Sequence, residues 1–147
     1  MPRVTRLSTL IGLIAVVALA AGCAGSPTAD LAMAAHADMP ADVREAPNAV
    51  SEAYRFAVAN PDIVSEIPCY CGCGAMGHSS NYSCYAEGTA ATGDLVYDYH
   101  ALGCGICVDI TQDTMRMVRQ GKSIVEVQDY VDEAYSKFGE PTVSGAD

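Results

Sequence analysis

"CGICVDITQDTMRMVRQGKSIVEVQDYVDEAYSKFGEP", residues 104–141, carries the most legible part of the fold. Ile106, Ile110 and Met117 fall on one stripe of a helix running from about Cys104 to Gln120. Asp109 and Asp113 lie early in it and Arg116 and Arg119 late, an order that suits the helix dipole. Gly121 is a natural terminator. "SIVE" at 123–126 is a capping box, in which Ser123 accepts from the Glu126 amide and Glu126 accepts from the Ser123 amide. Ile124, Val127, Val131, Ala134 and Phe138 then recur at steps of three and four, giving one apolar face. Gly139 and Pro141 end the second helix. The stretch predicts a helical hairpin with a tight turn.

Upstream, "PNAVSEAYRFAVANP" sets Val50, Tyr54, Ala57 and Val58 at helical spacing behind Pro47, which suits a first turn. Asn60-Pro61 interrupts that helix, because the residue before proline disfavours the helical region. Residues 74–103 read mostly as loop, with one short strand in "LVYDYH" (95–100). Tyr82, Tyr85, Tyr97 and Tyr99 are expected to give this loop apolar cover. The fold class is therefore mainly α: a small helical domain over 47–141, with one N-terminal helix, a C-terminal helical hairpin and a cysteine-rich loop. Residues 142–147 are a tail.

Residues 1–22 have the layout of a secretory leader. Arg3 and Arg6 precede an apolar run from Leu10 to Ala21, too short for a spanning helix of about 20 residues. The run ends in "LAAGC", which resembles the bacterial lipobox. The resemblance implies a lipoprotein signal peptide, cleavage before Cys23 and acylation (palmitate) of that cysteine. Residues 23–46, rich in Ala, Asp and Pro without a sustained period, read as a flexible tether. Losing Arg3 and Arg6 moves the formal charge from −10 to −12. So acidic a chain is not expected to bind nucleic acid. Its expected place is the extracytoplasmic face of the cell membrane, held there by the lipid on Cys23; no protein partner is indicated.

Beyond Cys23 there are six cysteines: Cys69, Cys71, Cys73, Cys84, Cys104 and Cys107. Outside the cytosol, three disulfides are one way to use them. A bridge within Cys69–Cys71 or Cys71–Cys73 would close a ring outside ordinary disulfide geometry, although each could reach a distant partner. Metal binding explains the density more directly. Residues two apart in an extended chain face the same side, and Gly72 and Gly74 let the backbone turn around an ion. Thiolates suit Zn²⁺ or Cu(I). Cys104-x-x-Cys107 at a helix start, where amides and dipole favour thiolate, is the second half of such a site and equally the layout of a redox pair. His100 is the next candidate ligand, followed by His78; Met76 could add a thioether to Cu(I). Val108 follows Cys107, so there is no c-type haem motif, and neither a phosphate loop nor a nucleophile elbow occurs.

"PCYCGCGAMGH" (68–78), Cys84 and "YHALGCGIC" (99–107) together resemble the bacterial family named for its PCYCGC motif. That resemblance implies a lipoprotein whose shared feature is the cysteine set, over about residues 47–140. Residues 115–141 are also similar to the end of the CcmH/CycL proteins of cytochrome c maturation, where a helical hairpin follows a redox CxxC. Here the CxxC abuts the helix, and four more cysteines are present. The leading expectation is a lipoprotein that binds a soft metal, Zn²⁺ or Cu(I), rather than an enzyme. The alternatives are a thiol–disulfide oxidoreductase, with Cys104 or Cys107 attacking, and a disulfide-stapled interaction module.

Overall fold

The computed structural model describes residues 30–142. The expected leader, the lipobox-like "LAAGC" and Cys23 lie outside the described residues. The helices are α1 (Ala41–Glu45), α2 (Asn48–Ala59), α3 (Pro61–Val64), α4 (His100–Gly103), α5 (Gly105–Arg119) and α6 (Ile124–Tyr135). Strands β1 (Ala86–Thr89) and β2 (Leu95–Tyr97) form one antiparallel hairpin. Among the described residues, no helix is long and apolar enough to cross a membrane. The domain is mainly helical, as its sequence predicts.

The α5–α6 hairpin forms for the reasons legible in its residues. Gly121 takes φ +78°, so the Gly121 amide donates to the Val118 carbonyl and the Lys122 amide to that of Met117. These two bonds satisfy carbonyls that a helix end otherwise leaves bare. The capping box is complete: Ser123 Oγ accepts from the Glu126 amide at 3.3 Å, and Glu126 Oε2 from the Ser123 amide at 2.9 Å. Val127, Val131 and Tyr135 of α6 are buried with Ile110, Met115 and Met117 of α5. Helix α2 packs on α5 and buries Tyr54, Phe56 and Ala57.

Two expectations about the hairpin change. Phe138 is 52% exposed, and Tyr135 takes the core position. The chain tightens into a 3-10 turn at Ser136–Phe138, whose shorter repeat rotates Phe138 off the buried face. Asp113 acts across the hairpin more than on the dipole, since its carboxylate accepts from Arg116 and from the Tyr135 hydroxyl at 2.8 Å.

The folded part also begins near Leu31 rather than at Pro47. Met39 and Val43 are in the core, and Leu31, Met33 and Ala34 pack against it. Arg55 Nε donates to the Ala34 carbonyl at 2.7 Å, and Asn60 Nδ2 to that of Ala32 at 2.8 Å. Side chains of α2 and its end thus hold a segment that has no periodicity of its own. The tether expected over 23–46 survives as an expectation only for residues outside the described range. At the other end, Thr142 is buried and pairs with Cys69 through both backbone and side chain, so the domain extends past Pro141.

The cysteine loop is ordered by turns. Gly72 at φ +83° and Gly77 at φ +97° bracket a 3-10 turn at Cys73–Met76, and this turn carries Cys73 into the interior. Gly139 lies where a Cβ would stand 3.0 Å from the Tyr70 carbonyl oxygen, so the end of the hairpin can close on the motif. Strand β1, absent from the sequence prediction, pairs Ala86 with Tyr97 and Thr89 with Leu95.

Candidate metal centre

Helix α5 begins at Cys104, which is its N-cap residue in extended conformation, and places Cys107 one turn inside. The motif segment brings Cys69, Cys71 and Cys73 to the same place, and the 3-10 turn Tyr82–Cys84 adds Cys84. All six are free thiols. Cys107 Sγ is fully buried and lies 3.5 Å from Cys69 Sγ, 3.6 Å from Cys71 Sγ and 3.2 Å from Cys84 Sγ. Cys69 and Cys71 are 3.5 Å apart, and Cys73 and Cys84 3.6 Å. A tetrahedral Zn²⁺ with Zn–S bonds of about 2.3 Å spaces its sulfurs by about 3.8 Å. The thiols therefore stand at nearly the edge length of a coordination tetrahedron.

Both expected histidines join them. His100, at the start of α4, puts Nε2 3.4 Å from Cys71 Sγ. Donor atoms of Cys71, His100, Cys104 and Cys107 all lie within 4.8 Å of one another. So do those of Cys69, Cys71 and Cys73; of Cys69, Cys84 and Cys107; and of Cys73, Cys84 and His100. His78 places Nδ1 3.5 Å from Cys84 Sγ and stacks edge to face on His100, with ring centroids 5.2 Å apart. Met76 is different: it is 60% exposed, on the outer side of its turn. Its thioether belongs to the surface rather than to the buried set.

Thiolate character is not where a helix start alone would put it. Hydrogen bonds from Cys107 and then Cys84 hold the Cys69 thiol well below the ordinary range, against the cost of burial. Cys107 is pushed up by its hydrogen bonds with Cys69 and then Cys84, and by burial. Burial is also the leading cause that raises Cys71 and Cys73. One buried anion forms readily, and a second beside it is opposed by repulsion and desolvation. A soft cation at the centre reverses that balance and lets the remaining thiols ionise. Within the Cys104–Cys107 pair expected to favour thiolate, Cys107 is instead held up by its bonds with Cys69 and Cys84 and by burial.

Several supporting residues carry no motif signal. Asp98 accepts from the His100 amide at 2.7 Å through one carboxylate oxygen and meets His78 Nε2 at 3.4 Å through the other. The buried chain Asn81–Thr111–Tyr85 runs to the Cys107 carbonyl, with the Tyr85 hydroxyl donating to it at 2.9 Å. Tyr85 also meets Tyr54 of α2 edge to face at 4.9 Å, locking the loop to the helical core. Of these, only Asp98 could have been suspected from sequence, as the acid two residues before His100. A groove of about 610 Å³ runs past His78 and Gly77, between the motif turn and Pro141.

The family model described as "Protein of unknown function with PCYCGC motif" matches residues 23–146. The chain belongs to the PCYCGC-motif family. No curated protein and no solved structure matches, and the hairpin's likeness to CcmH/CycL proteins finds no support among them. In this member of the PCYCGC-motif family, the hexapeptide at 68–73 contributes three of the six converging thiols.

Proposed function

We propose that this protein is a lipid-anchored extracytoplasmic protein that binds soft metal, Zn²⁺ or Cu(I), through its cysteine cluster. The observation that carries the reading is the convergence of Cys71, His100, Cys104 and Cys107 within 4.8 Å, from two segments about 30 residues apart. A set of three thiolates and one imidazole fills a tetrahedral ion with protein ligands and leaves no open position for a substrate. That is the pattern of a holding or structural site rather than a catalytic one. Zn²⁺ suits this set directly, and Cu(I) suits its thiolates. Thiol–disulfide exchange is the weaker reading, since Cys107 is fully buried with its thiol pushed up. The resemblance of "LAAGC" to a lipobox supports the anchor.

The test is to purify the full chain anaerobically, measure bound metal by elemental analysis, and count free thiols before and after a chelator. Bound metal, with further thiols released by the chelator, supports the reading; no metal and no free thiols at these positions overturns it. Labelled palmitate should appear on the wild-type chain and vanish in Cys23→Ser. Label that persists removes the anchor.

A further inference from the structure

We infer that the cluster is built for two metal ions held side by side, not one. This rests on the reading that the cysteines bind soft metal. Six thiols and two imidazoles converge, twice what one tetrahedral ion can use. They divide into two sets. Cys71, His100, Cys104 and Cys107 form the first. Cys69, Cys73 and Cys84, pairwise within 4.8 Å, form the second, with His78 against Cys84.

Charge argues the same way. One divalent ion supplies two positive charges to six buried or half-buried thiols, and the surplus anions would remain uncompensated. Against six thiolates, two ions leave two surplus charges where one ion leaves four. The two sets also touch: Cys107 and Cys84 are 3.2 Å apart, and Cys69 lies 3.5 Å from both Cys71 and Cys107. At such separations a thiolate can bridge, and Cys107 and Cys69 hold the bridging positions.

The surroundings of His78 point to a ligand rather than a surface histidine. Its Nε2 faces the Asp98 carboxylate at 3.4 Å, which leaves Nδ1 as the acceptor atom beside Cys84. A carboxylate behind a ring nitrogen is the usual device for orienting a metal-bound imidazole. The other oxygen of Asp98 accepts from the His100 amide, so one carboxylate positions the histidines of both sets.

The experiment is a titration of the reduced full chain with Zn²⁺ against a competing chromophoric chelator, with bound zinc counted after gel filtration. Two zinc ions per chain are expected. His78→Ala should weaken one of them at least tenfold and leave the other unchanged, with helicity by circular dichroism as the control for folding. One ion per chain, or three or more, overturns the two-ion site while the soft-metal reading stands. Two ions that both survive His78→Ala unchanged overturn the assignment of His78. No bound zinc at all overturns the soft-metal reading itself, and the two-ion site with it.

Discussion

The helical half and the cysteine half of this molecule keep their shapes by different means. Where α2, α5 and α6 meet, Tyr54, Phe56, Ile110, Val127 and Val131 are fully buried, and apolar burial with two well-made helix ends suffices. Between Ile67 and His100 there are two short strands and two 3-10 turns, and Cys69, Cys73 and Cys84 share the interior with Ile67, Asn81 and Tyr85. Burying thiols side by side, where an ionised Cys69 opposes a second charge beside it, supplies little cohesion by itself. The lesson is a division of labour: the hairpin is held by apolar burial and its helix ends, and under the proposed function the loop would be held by what its donors bind. Tyr85 and Asp98 are the joints, since both are tied to Tyr54 of α2.

The largest effect should come from Cys107→Ser, because that sulfur touches three others. Zinc affinity should fall by more than about 100-fold, beyond the loss expected for a mere orienting partner. The helical circular dichroism signal should remain. Undiminished affinity by chelator competition would break the division between the halves. Phe56→Ala acts on the other side. It should cost about 3–5 kcal/mol in denaturant unfolding while metal per folded chain is unchanged. A joint is tested by Asp98→Asn, which keeps a hydrogen-bonding side chain but removes the charge behind His78. Metal affinity should drop about 10- to 100-fold, with little change in the unfolding of the metal-free chain. Equal loss in both would make Asp98 a fold residue.

Smaller effects belong to the hairpin alone. Ser123→Ala removes one arm of the capping box and should cost about 1 kcal/mol without touching metal affinity. Lys122 and the Ser123 amide hold the Glu126 carboxyl down to about 2, so its stabilising share is present above the ordinary carboxylate range. It fades as pH falls toward 2. Unfolding midpoints from pH 5 to pH 2 should therefore decline slightly less in Glu126→Gln than in the wild type. An identical decline would show that Glu126 contributes nothing.

How much could be read from sequence follows the same division. The hairpin announces itself because its cause is local: Gly121, the Ser123–Glu126 box and a three-and-four apolar step all lie within one stretch of chain. Phe138 failed only because the last turn tightens. Residues 31–46 were illegible because their burial comes from Arg55, Asn60 and the core above them, not from any pattern of their own. The converging cysteines were legible from their spacing, and His78 and His100 from adjacency to them. Their convergence in overlapping groups, and the exposure of Met76, depend on long-range packing that no spacing encodes. Thr142 and Asn81 were hidden for the same reason.

The central claim, that the converging thiols hold metal, is tested most directly by native mass spectrometry of the full chain purified anaerobically without added metal. The account predicts excess mass from bound zinc or copper that is lost on acidification, leaving Cys69, Cys71, Cys73, Cys84, Cys104 and Cys107 as fully protonated thiols. A chain that carries no metal and is six hydrogens light, its six cysteines joined as three disulfides, would contradict it.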